Sequence, residues 1–312
     1  MFWKILLGYL PLNTDLRDST LKRKRQEYLD ITIIYSDMLI DSDKNMNDNE
    51  LITFKQISVD IPRTMSEYSL FTHSKIRKRL TRLLFIWAKR HPASGYVQGL
   101  NDLAATFFAV FLIDYIHFSY DNLQVDHTVL DNLDENVYDC VEADSYWCFK
   151  KMMDNIQTNY TFGQPGIKLM MDTVEETIKL VNNSLYIHLK KHDVKNFQYM
   201  FRWMNCYLMR EFSLKNLIRI WDSYFSFDES FNFFHLFVCS SLLLSYSNKL
   251  KSFDEFQEII MFLLNMPTSE WSLEDIDVLI AKSYQIYVIY GKKVKQIFDD
   301  LMLKHKDLKL KS

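Results

Sequence analysis

Glycine and proline are scarce in this chain, and this scarcity constrains the fold more than any other feature of the sequence. The 312 residues include six glycines and five prolines, whereas average usage would supply about 12% of these two residues together. Sheet proteins place glycine and proline in turns that recur about every 8–12 residues. A chain with so few breakers is expected to form long helices joined by short polar loops, so the sequence predicts an all-α fold.

Apolar residues recur at helical spacing, which indicates where the helices lie. Between 73 and 91 an apolar stripe alternates with seven lysines and arginines. This pattern predicts an amphipathic helix and favours a solvated basic face over a phosphate-binding one. The stretch 100–113 is apolar all round, as expected for a helix at the centre of a bundle. Further helices are predicted at 14–38, 52–60, 195–211, 214–226, 231–247, 253–264 and 273–304.

Three segments predict interruptions between helices. Residues 41–50 are rich in Asp and Asn and lack periodicity, which indicates an exposed loop. Residues 114–144 hold nine acidic residues and no Lys or Arg, which indicates a solvated acidic loop leading into the next helix. Residues 161–166 read Thr-Phe-Gly-Gln-Pro-Gly and form the densest breaker cluster. This cluster predicts a division into two helical domains, 1–163 and 164–312.

Charge, apolar run length and cysteine usage exclude several classes of protein. The net charge of −3 provides no general attraction to nucleic acid or to an anionic membrane. A helix needs about 20 apolar residues to span a bilayer. The longest apolar run, 103–113, is much shorter, so no transmembrane segment is predicted. The four cysteines have no C-x-x-C spacing, which is typical of reduced thiols in the cytosol. We therefore expect a soluble, cytoplasmic protein.

The sequence offers little support for a metal site or a nucleotide site of its own. His188 and His192 are spaced to share a helix face, but the segment suggests no third ligand and lacks the Glu of H-E-x-x-H. No G-x-x-x-x-G-K-[ST] loop is present to hold a nucleotide phosphate. We expect no metal, no cofactor and no GTP hydrolysis by the chain alone.

Arg63 is the first candidate for chemistry, in a segment that reads Ile-Ser-Val-Asp-Ile-Pro-Arg from residue 57. Pro62 disfavours helical geometry at Ile61, so the helix through 52–60 is expected to stop there. Arg63 would then project from a helix end. Asp60, three residues earlier, could hold its guanidinium through charge-assisted hydrogen bonds.

Gln98 is the second candidate, in a segment that reads Gly-Tyr-Val-Gln-Gly-Leu-Asn-Asp from residue 95. Gly95 and Gly99 bracket it and permit unusual backbone angles and the close approach of another chain. An exposed arginine and glutamine, with no general base or metal ligand around them, suit the electrostatic stabilisation of a phosphoryl transfer. A surface ion pair and a solvated helix cap would account for the same spacings.

The whole chain resembles the TBC domain of Rab GTPase-activating proteins, in particular the fungal, Golgi-associated branch and its animal counterparts. The resemblance rests on many segments in family order, spread from residue 3 to about residue 290. The matching segments are Trp3–Pro11, Lys24–Tyr28, Ile57–Arg63 as I-x-x-D-x-x-R, Tyr96–Asn101 as Y-x-Q-G-L-N, Ala143–Phe149, Arg202–Phe212, Ile218–Asp222 and Phe234–Cys239.

The resemblance implies an all-helical fold in two lobes and assigns roles to the candidate residues. Arg63 would be an arginine finger supplied in trans, and Gln98 would position the attacking water. Asp60 would orient Arg63, and Tyr96 would help to shape the loop that displaces the GTPase's own glutamine. The remaining motif residues, expected to support the site, are Gly95, Gly99 and Asn101.

The resemblance also implies a partner, a GTP-bound Rab that would itself hold GTP and Mg²⁺. Contact with membranes would then be indirect, through the Rab, at the Golgi or other trafficking membranes. A helical scaffold that binds a Rab without catalysis is the main alternative, because some TBC domains lack the finger pair. The presence of both Arg63 and Gln98 favours the activator. A metal hydrolase or a helical nucleic-acid-binding protein is a more distant alternative.

Overall fold

The structure is a computed structural model, and it describes residues 2–40, 45–116 and 124–310. Every regular element within these ranges is an α-helix or a single 3₁₀ turn, so the all-α prediction is confirmed there. The chain divides into two compact units, Met1–Tyr160 and Thr161–Ser312. The division into domains 1–163 and 164–312 stays a prediction. None of the helices in the described ranges combines the length and apolar composition that a membrane span requires.

The first unit is built around an apolar helix, as predicted for 100–113. Its helices are α1 (Phe2–Leu6), α2 (Arg17–Ile34), α3 (Ser36–Ile40), α4 (Asp48–Asp60), α5 (Ser69–Thr72), α6 (Ser74–Arg90), α7 (Leu100–Leu112), α8 (His127–Asp131) and α9 (Glu135–Ile156). All residues of α7 except Val110 are buried. The helix packs against α6 and α9, because only a central position can cover an apolar surface on every side.

The second unit is organised around its last helix. Its helices are α10 (Pro165–Val181), α11 (Asn183–Lys191), α12 (Phe197–Asn205), α13 (Leu214–Phe225), α14 (Phe231–Ser245), α15 (Ser247–Leu250), α16 (Phe256–Leu264) and α17 (Leu273–Leu310). The long helix α17 packs against α10, α13 and α14. The helix predicted at 195–211 is shorter than expected, because Tyr207 and Leu208 take positive φ values that a right-handed helix does not accommodate.

The prediction of a solvated basic face on α6 is wrong for Arg79 and Arg82, whereas Lys78 and Arg90 are exposed. Arg79 is buried, and its guanidinium donates to Glu135 at 2.6 Å, to Glu142 at 2.9 Å and to Asp139. Arg82 donates through Nε to Oε1 of Glu142 at 2.7 Å. These arginines therefore pair with carboxylates of α9, and the pairing offsets the desolvation that a buried charge would otherwise suffer.

The acidic loop predicted at 114–144 is wrong where the chain is helical, in α8 and in the start of α9. Residues 117–123 of that range lie outside the described part of the chain. Asp126 and Asp134 accept hydrogen bonds from backbone N–H groups in the first turns of α8 and α9, at 2.9 and 2.8 Å. Such contacts satisfy donors that a helix start leaves unpaired. Glu142 and Asp144 are buried and paired with cations. The acidic residues named here are thus helix caps and buried counterions.

The exposed loop predicted at 41–50 also needs correction. Residues 41–44 lie outside the described residues, and the chain is helical from Asp48. The Asn47 side chain accepts from the Glu50 N–H at 3.0 Å, while the Glu50 carboxylate accepts from the Asn47 N–H at 2.8 Å. This reciprocal pair is a capping box. The Asp- and Asn-rich composition therefore marks a helix start as well as a loop.

Candidate functional site

Arg63 lies just beyond the end of α4, as its sequence context predicts. The α-helix ends at Asp60, as predicted, and Pro62 sits in a single 3₁₀ turn formed by Ile61–Arg63. The predicted reason is wrong, because Ile61 keeps helical angles of φ −56° and ψ −45°. The next residue, Thr64, is extended with φ −68° and ψ 114°. The Arg63 side chain is 59% exposed, whereas that of Asp60 is 4% exposed. The segment therefore presents a cation to solvent directly beside a buried carboxylate.

The Asp60 carboxylate binds two side chains, one with each oxygen. Its Oδ1 accepts from Nε of Arg63 at 3.1 Å and also from Nη2. Its Oδ2 accepts from the Tyr96 hydroxyl at 2.7 Å. We call the contact between Asp60 and Tyr96 the carboxylate bridge. Because Asp60 occupies one edge of the guanidinium, Nη1 of Arg63 makes no hydrogen bond among the described residues and can donate to another molecule.

Tyr96 acts as a neutral hydrogen-bond donor in this arrangement. Burial raises the pKa of its hydroxyl far above the ordinary value, and the hydrogen bond to Asp60 and the charge of that carboxylate act in the same direction. The phenol therefore keeps its proton at any physiological pH. Loss of the Tyr96 proton therefore does not break the carboxylate bridge at physiological pH. The bridge fixes the start of the loop that carries Gln98.

The Gln98 loop has a backbone that depends on its two glycines. Gly95 and Gly99 both have positive φ angles, and such angles strain residues with a Cβ atom. The Gly95 N–H donates to the carbonyl of His91 at 2.9 Å, and the Leu100 N–H closes a turn on the carbonyl of Val97 at 3.1 Å. Gln98 stands exposed within this turn, and Gly99 forms the N-cap of α7.

Asn101 connects the far side of the loop to the arginine segment. Its amide is buried, and Nδ2 donates to Oγ1 of Thr64 at 2.8 Å and to Oδ1 of Asp102 at 2.9 Å. Its Oδ1 accepts from the Gly99 N–H at 3.0 Å. The Thr64 hydroxyl in turn donates to the carbonyl of Asp60 at 3.0 Å. We call the contact between Thr64 and Asn101 the amide bridge.

The structure brings the predicted site residues together in one hydrogen-bond network. Its members among the predicted residues are Arg63, Asp60, Tyr96, Gly99 and Asn101. Gln98 lies on the loop between the two bridges, and Gly95 contributes its backbone conformation. Sequence reasoning missed Thr64 and Asp102, although each directly follows a predicted residue. Both belong to the site because they accept hydrogen bonds from the buried Asn101 amide, and the burial of these groups can be seen only in the folded chain.

The site can present charge and hydrogen bonds to another molecule. The exposed groups are a guanidinium and an amide, which buried polar side chains support. Such groups can stabilise negative charge that develops on a phosphoryl group. In the described part of the chain, no three His, Cys, Asp or Glu side chains are placed to hold a metal ion.

Comparison with known proteins identifies the family. Residues 1–251 match the Rab-GTPase-TBC domain. Human TBC1 domain family member 22A is 43% identical over 286 residues, which cover 92% of this chain and 53% of that protein. The GTPase-activating protein gyp1 of Schizosaccharomyces pombe is 41% identical over 290 residues, which cover 93% of this chain and 55% of that protein. The chain thus spans about half the length of these curated relatives.

Solved structures agree with the sequence comparison. The crystal structure of the Ypt/Rab-GAP domain of Gyp1p superposes with a TM-score of 0.83 at 39% identity, covering 92% of this chain and 87% of that one. The TBC domain of a Chlamydomonas flagellar RabGAP superposes with a TM-score of 0.54 at 17% identity, which supports the fold alone. On the extent of the sequence match, the chain belongs to the Rab-GTPase-TBC domain family.

Proposed function

We propose that this chain accelerates GTP hydrolysis by a Rab-type small GTPase, by supplying Arg63 as an arginine finger and Gln98 as a water-orienting glutamine. The observation that carries the proposal is the network beneath the two residues. Asp60 and Tyr96 join the segment of Arg63 to the loop of Gln98 through contacts of 3.1 and 2.7 Å. The segment of Arg63 and the loop of Gln98 come from separate parts of the chain, and the contacts of Asp60 hold the two together.

Arg63 suits the role of a finger because its guanidinium is exposed and already oriented. A positive charge placed against the transferring phosphoryl group in trans raises the hydrolysis rate by roughly 10³–10⁵-fold in small GTPases. Asp60 holds one edge of the guanidinium and so reduces the freedom that Arg63 must lose on binding. The exposed remainder of the fork can donate to phosphate oxygens.

Gln98 suits the orientation of a water molecule. An amide can accept a hydrogen bond from the water and donate one to a phosphate oxygen at the same time. The side chain is exposed in a turn whose backbone is fixed by Gly99 and by the bond from the Gly99 N–H to Asn101. In this proposal Gln98 replaces the switch glutamine of the GTPase.

The proposed partner is a GTP-bound Rab, which would hold the nucleotide and Mg²⁺, so the chain would need no cofactor of its own. The names of the relatives support this choice of partner, since one is a GTPase-activating protein and one solved structure is a Ypt/Rab-GAP domain. We further propose that the chain works on the cytoplasmic side of Golgi or other trafficking membranes and contacts them through the Rab. This location rests on the resemblance to the Golgi-associated branch.

The test is single-turnover phosphate release from a panel of GTP-loaded Rabs, with and without the chain. At least one Rab is expected to respond by about 10³-fold or more at saturating concentrations of the chain. The Arg63→Ala and Gln98→Ala variants should stimulate that Rab far less while still binding it. Stimulation that survives both substitutions would overturn the proposal.

A scaffold that binds a Rab without catalysis is the second candidate, and the exposure of Arg63 and Gln98 does not by itself separate the two. The discriminating result is a Rab that binds the chain tightly while no hydrolysis rate changes across the whole panel. The preformed support under both side chains favours the activator, because a scaffold has no need of an oriented guanidinium.

A further inference from the structure

Two bridges join the arginine segment to the glutamine loop, and they lie on opposite sides of the two fingers along the chain. The carboxylate bridge precedes Arg63 and Gln98 in each segment. The amide bridge follows them, since Thr64 comes directly after Arg63 and Asn101 comes three residues after Gln98. Each finger therefore stands on a short stretch of backbone that is fixed at both ends.

The amide bridge is buried and fully satisfied. Thr64 is 1% exposed and Asn101 is 3% exposed. Both Nδ2 hydrogens of Asn101 have acceptors, and its Oδ1 receives the Gly99 N–H. The reversed amide would place its NH₂ group against that N–H, so the network fixes the orientation of the side chain. One side chain thus binds the arginine segment and the turn of Gln98 at once.

We propose that the amide bridge sets the position of Gln98 relative to Arg63, which makes Thr64 and Asn101 positioning residues for the orientation of water. This inference rests on the proposed function. Without the amide bridge, the carboxylate bridge would be the remaining hydrogen bond described here between the arginine segment and the glutamine loop. The turn between Tyr96 and Asn101 could then shift relative to Arg63, and Gly95 and Gly99 are the residues whose backbone angles adapt most easily.

The size of the effect follows from the sensitivity of catalysis to geometry. A displacement of about 1 Å at a catalytic group can lower a rate by up to about 10²-fold. Gln98 acts through a water molecule whose line of attack must be correct, so a displacement should lower the rate more at Gln98 than at Arg63. The guanidinium of Arg63 is held by the Asp60 carboxylate, whereas the Thr64 hydroxyl contacts the main-chain carbonyl of Asp60. Removal of the amide bridge should therefore move Arg63 less than Gln98.

The variant that tests the bridge is Thr64→Val. It keeps the β-branched shape and removes the hydroxyl that accepts from Asn101 and donates to Asp60. Thr64→Ser retains a hydroxyl and serves as the conservative rescue. Thr173→Val is the matched control, because Thr173 is equally buried and its hydroxyl also donates to a carbonyl four residues earlier, far from the site in the chain.

The experiment is a double-mutant cycle between Thr64→Val and Gln98→Ala, measured as single-turnover phosphate release from a GTP-loaded Rab that the wild-type chain stimulates. Thr64→Val is expected to lower the maximal rate by about tenfold to a hundredfold, with half-saturation changed less than about threefold. In the Gln98→Ala background the same change should lower the rate less than about threefold. Thr64→Ser and Thr173→Val should remain near the wild-type rate.

Two outcomes would overturn the inference: a wild-type rate for Thr64→Val, or an equal loss with and without Gln98. Thr64→Ala, which also removes the hydroxyl, provides the same cycle if Thr64→Val does not fold. Failure of the proposed function is seen separately, because Gln98→Ala alone would then leave the maximal rate unchanged. Faster amide hydrogen exchange at Gly99 in Thr64→Val, but not in Thr173→Val, is expected as a readout independent of activity.

Discussion

The Arg63 guanidinium combines exposure with orientation. Its side chain is mostly exposed, yet two of its nitrogens contact a carboxylate that is almost wholly buried. Because the carboxylate is buried, this is not an ordinary surface ion pair. Its value here is geometric, because the buried Asp60 defines where the exposed charge is presented.

Arg63→Ala is expected to lower the stimulated hydrolysis rate by about 10³-fold or more. It should also lower the free energy of unfolding by about 1–3 kcal/mol, because the buried Asp60 carboxylate loses its cation. Arg63→Lys should recover little activity, since an ammonium cannot reproduce the planar fork of donors. Phosphate release and urea unfolding measure the two effects. Arg219→Ala is the control, because Arg219 is also partly exposed and paired with an aspartate, Asp277, at 2.8 Å. If the Arg63→Ala and Arg219→Ala variants were equally active, Arg63 would not be the arginine finger.

Gln98→Ala is expected to lower the maximal rate while binding to the GTP-loaded Rab stays within about threefold, because the amide acts in the transition state. A Rab whose switch glutamine is changed to leucine should still respond to the wild-type chain. Gln285→Ala, at an exposed glutamine of α17, is the control. If the Gln→Leu Rab binds but shows no stimulation, Gln98 does not replace the switch glutamine.

Helix α9 supplies the counterions for α6, and Glu142 is the centre of that contact. Its buried carboxylate accepts from Arg79, from Arg82 and from the Tyr28 hydroxyl, the last at 2.7 Å. Burial of a carboxylate is tolerated here because two guanidiniums and a phenol surround it. The helices α2, α6 and α9 therefore meet at this carboxylate, which is one of several charged contacts between them.

Glu142→Gln is expected to lower the free energy of unfolding by about 1–3 kcal/mol, because it removes the buried charge that Arg79 and Arg82 share, while Arg79 keeps its contacts with Glu135 and Asp139. Glu135→Gln should change it by less than about 1 kcal/mol, because Glu135 is 62% exposed and solvent screens its pairs with Lys75 and Arg79. Urea titration of both variants gives the comparison. A change at Glu142 no larger than that at Glu135 would contradict the assignment of a buried ion cluster.

Helix α14 contains a buried histidine that makes stability depend on pH. His235 is fully buried beside the Tyr224 hydroxyl, and burial lowers its pKa from 6.5 to about 3. Since the folded-state pKa lies below the unfolded one, the unfolded state binds the proton first as the pH falls. The stability contributed by the neutral imidazole is therefore present above about pH 6.5 and is lost progressively below it.

The predicted loss is about 1.4 kcal/mol for each pH unit between about 6 and 4. In His235→Asn this part of the slope should be absent, although the variant will be less stable at every pH. Urea unfolding at several pH values measures the difference in slope between the two proteins. Parallel pH profiles would mean that His235 does not cause the acid sensitivity.

The extent to which the sequence predicts structure depends on the distance between partners along the chain. The sequence predicts α6 at 73–91, and the helix runs from Ser74 to Arg90, because apolar period is a local property. Arg63 and Asp60 can be paired from sequence because they lie three residues apart. Glu142, one of the partners of Arg79 on α9, is 63 residues away, and Thr64, the partner of Asn101 in the arginine segment, is 37 residues away. Such contacts become visible only in the folded chain.

Under the proposed function, the chain acts on another protein. Its described residues supply a guanidinium and an amide at the surface, and its sequence contains no G-x-x-x-x-G-K-[ST] loop that would cradle the phosphates of a bound nucleotide. The other half of a hydrolytic site would have to come from the partner. This division of labour follows from the proposed function and from the family to which the chain belongs.

The isolated chain is therefore expected to release no phosphate from GTP above the uncatalysed rate and to bind GTP no more tightly than the millimolar range. Equilibrium binding of a fluorescent GTP analogue and overnight phosphate release measure these two quantities. A catalytically responsive Rab is the positive control. Micromolar binding of GTP by the chain alone would contradict an activity that depends on the partner's nucleotide site.

Asp60 lies beneath both residues of the proposed mechanism, Arg63 directly and Gln98 through Tyr96 and its loop, which bears on how such domains would lose activity during evolution. One oxygen binds Arg63 and the other binds Tyr96, and an amide at this position would offer only one acceptor oxygen for the two tasks. A single codon change, Asp60→Asn, would therefore disturb both fingers while leaving the outer surface intact. Descendants that keep their GTPase-binding surface but no longer activate should have lost position 60 or 96 as readily as position 63 or 98.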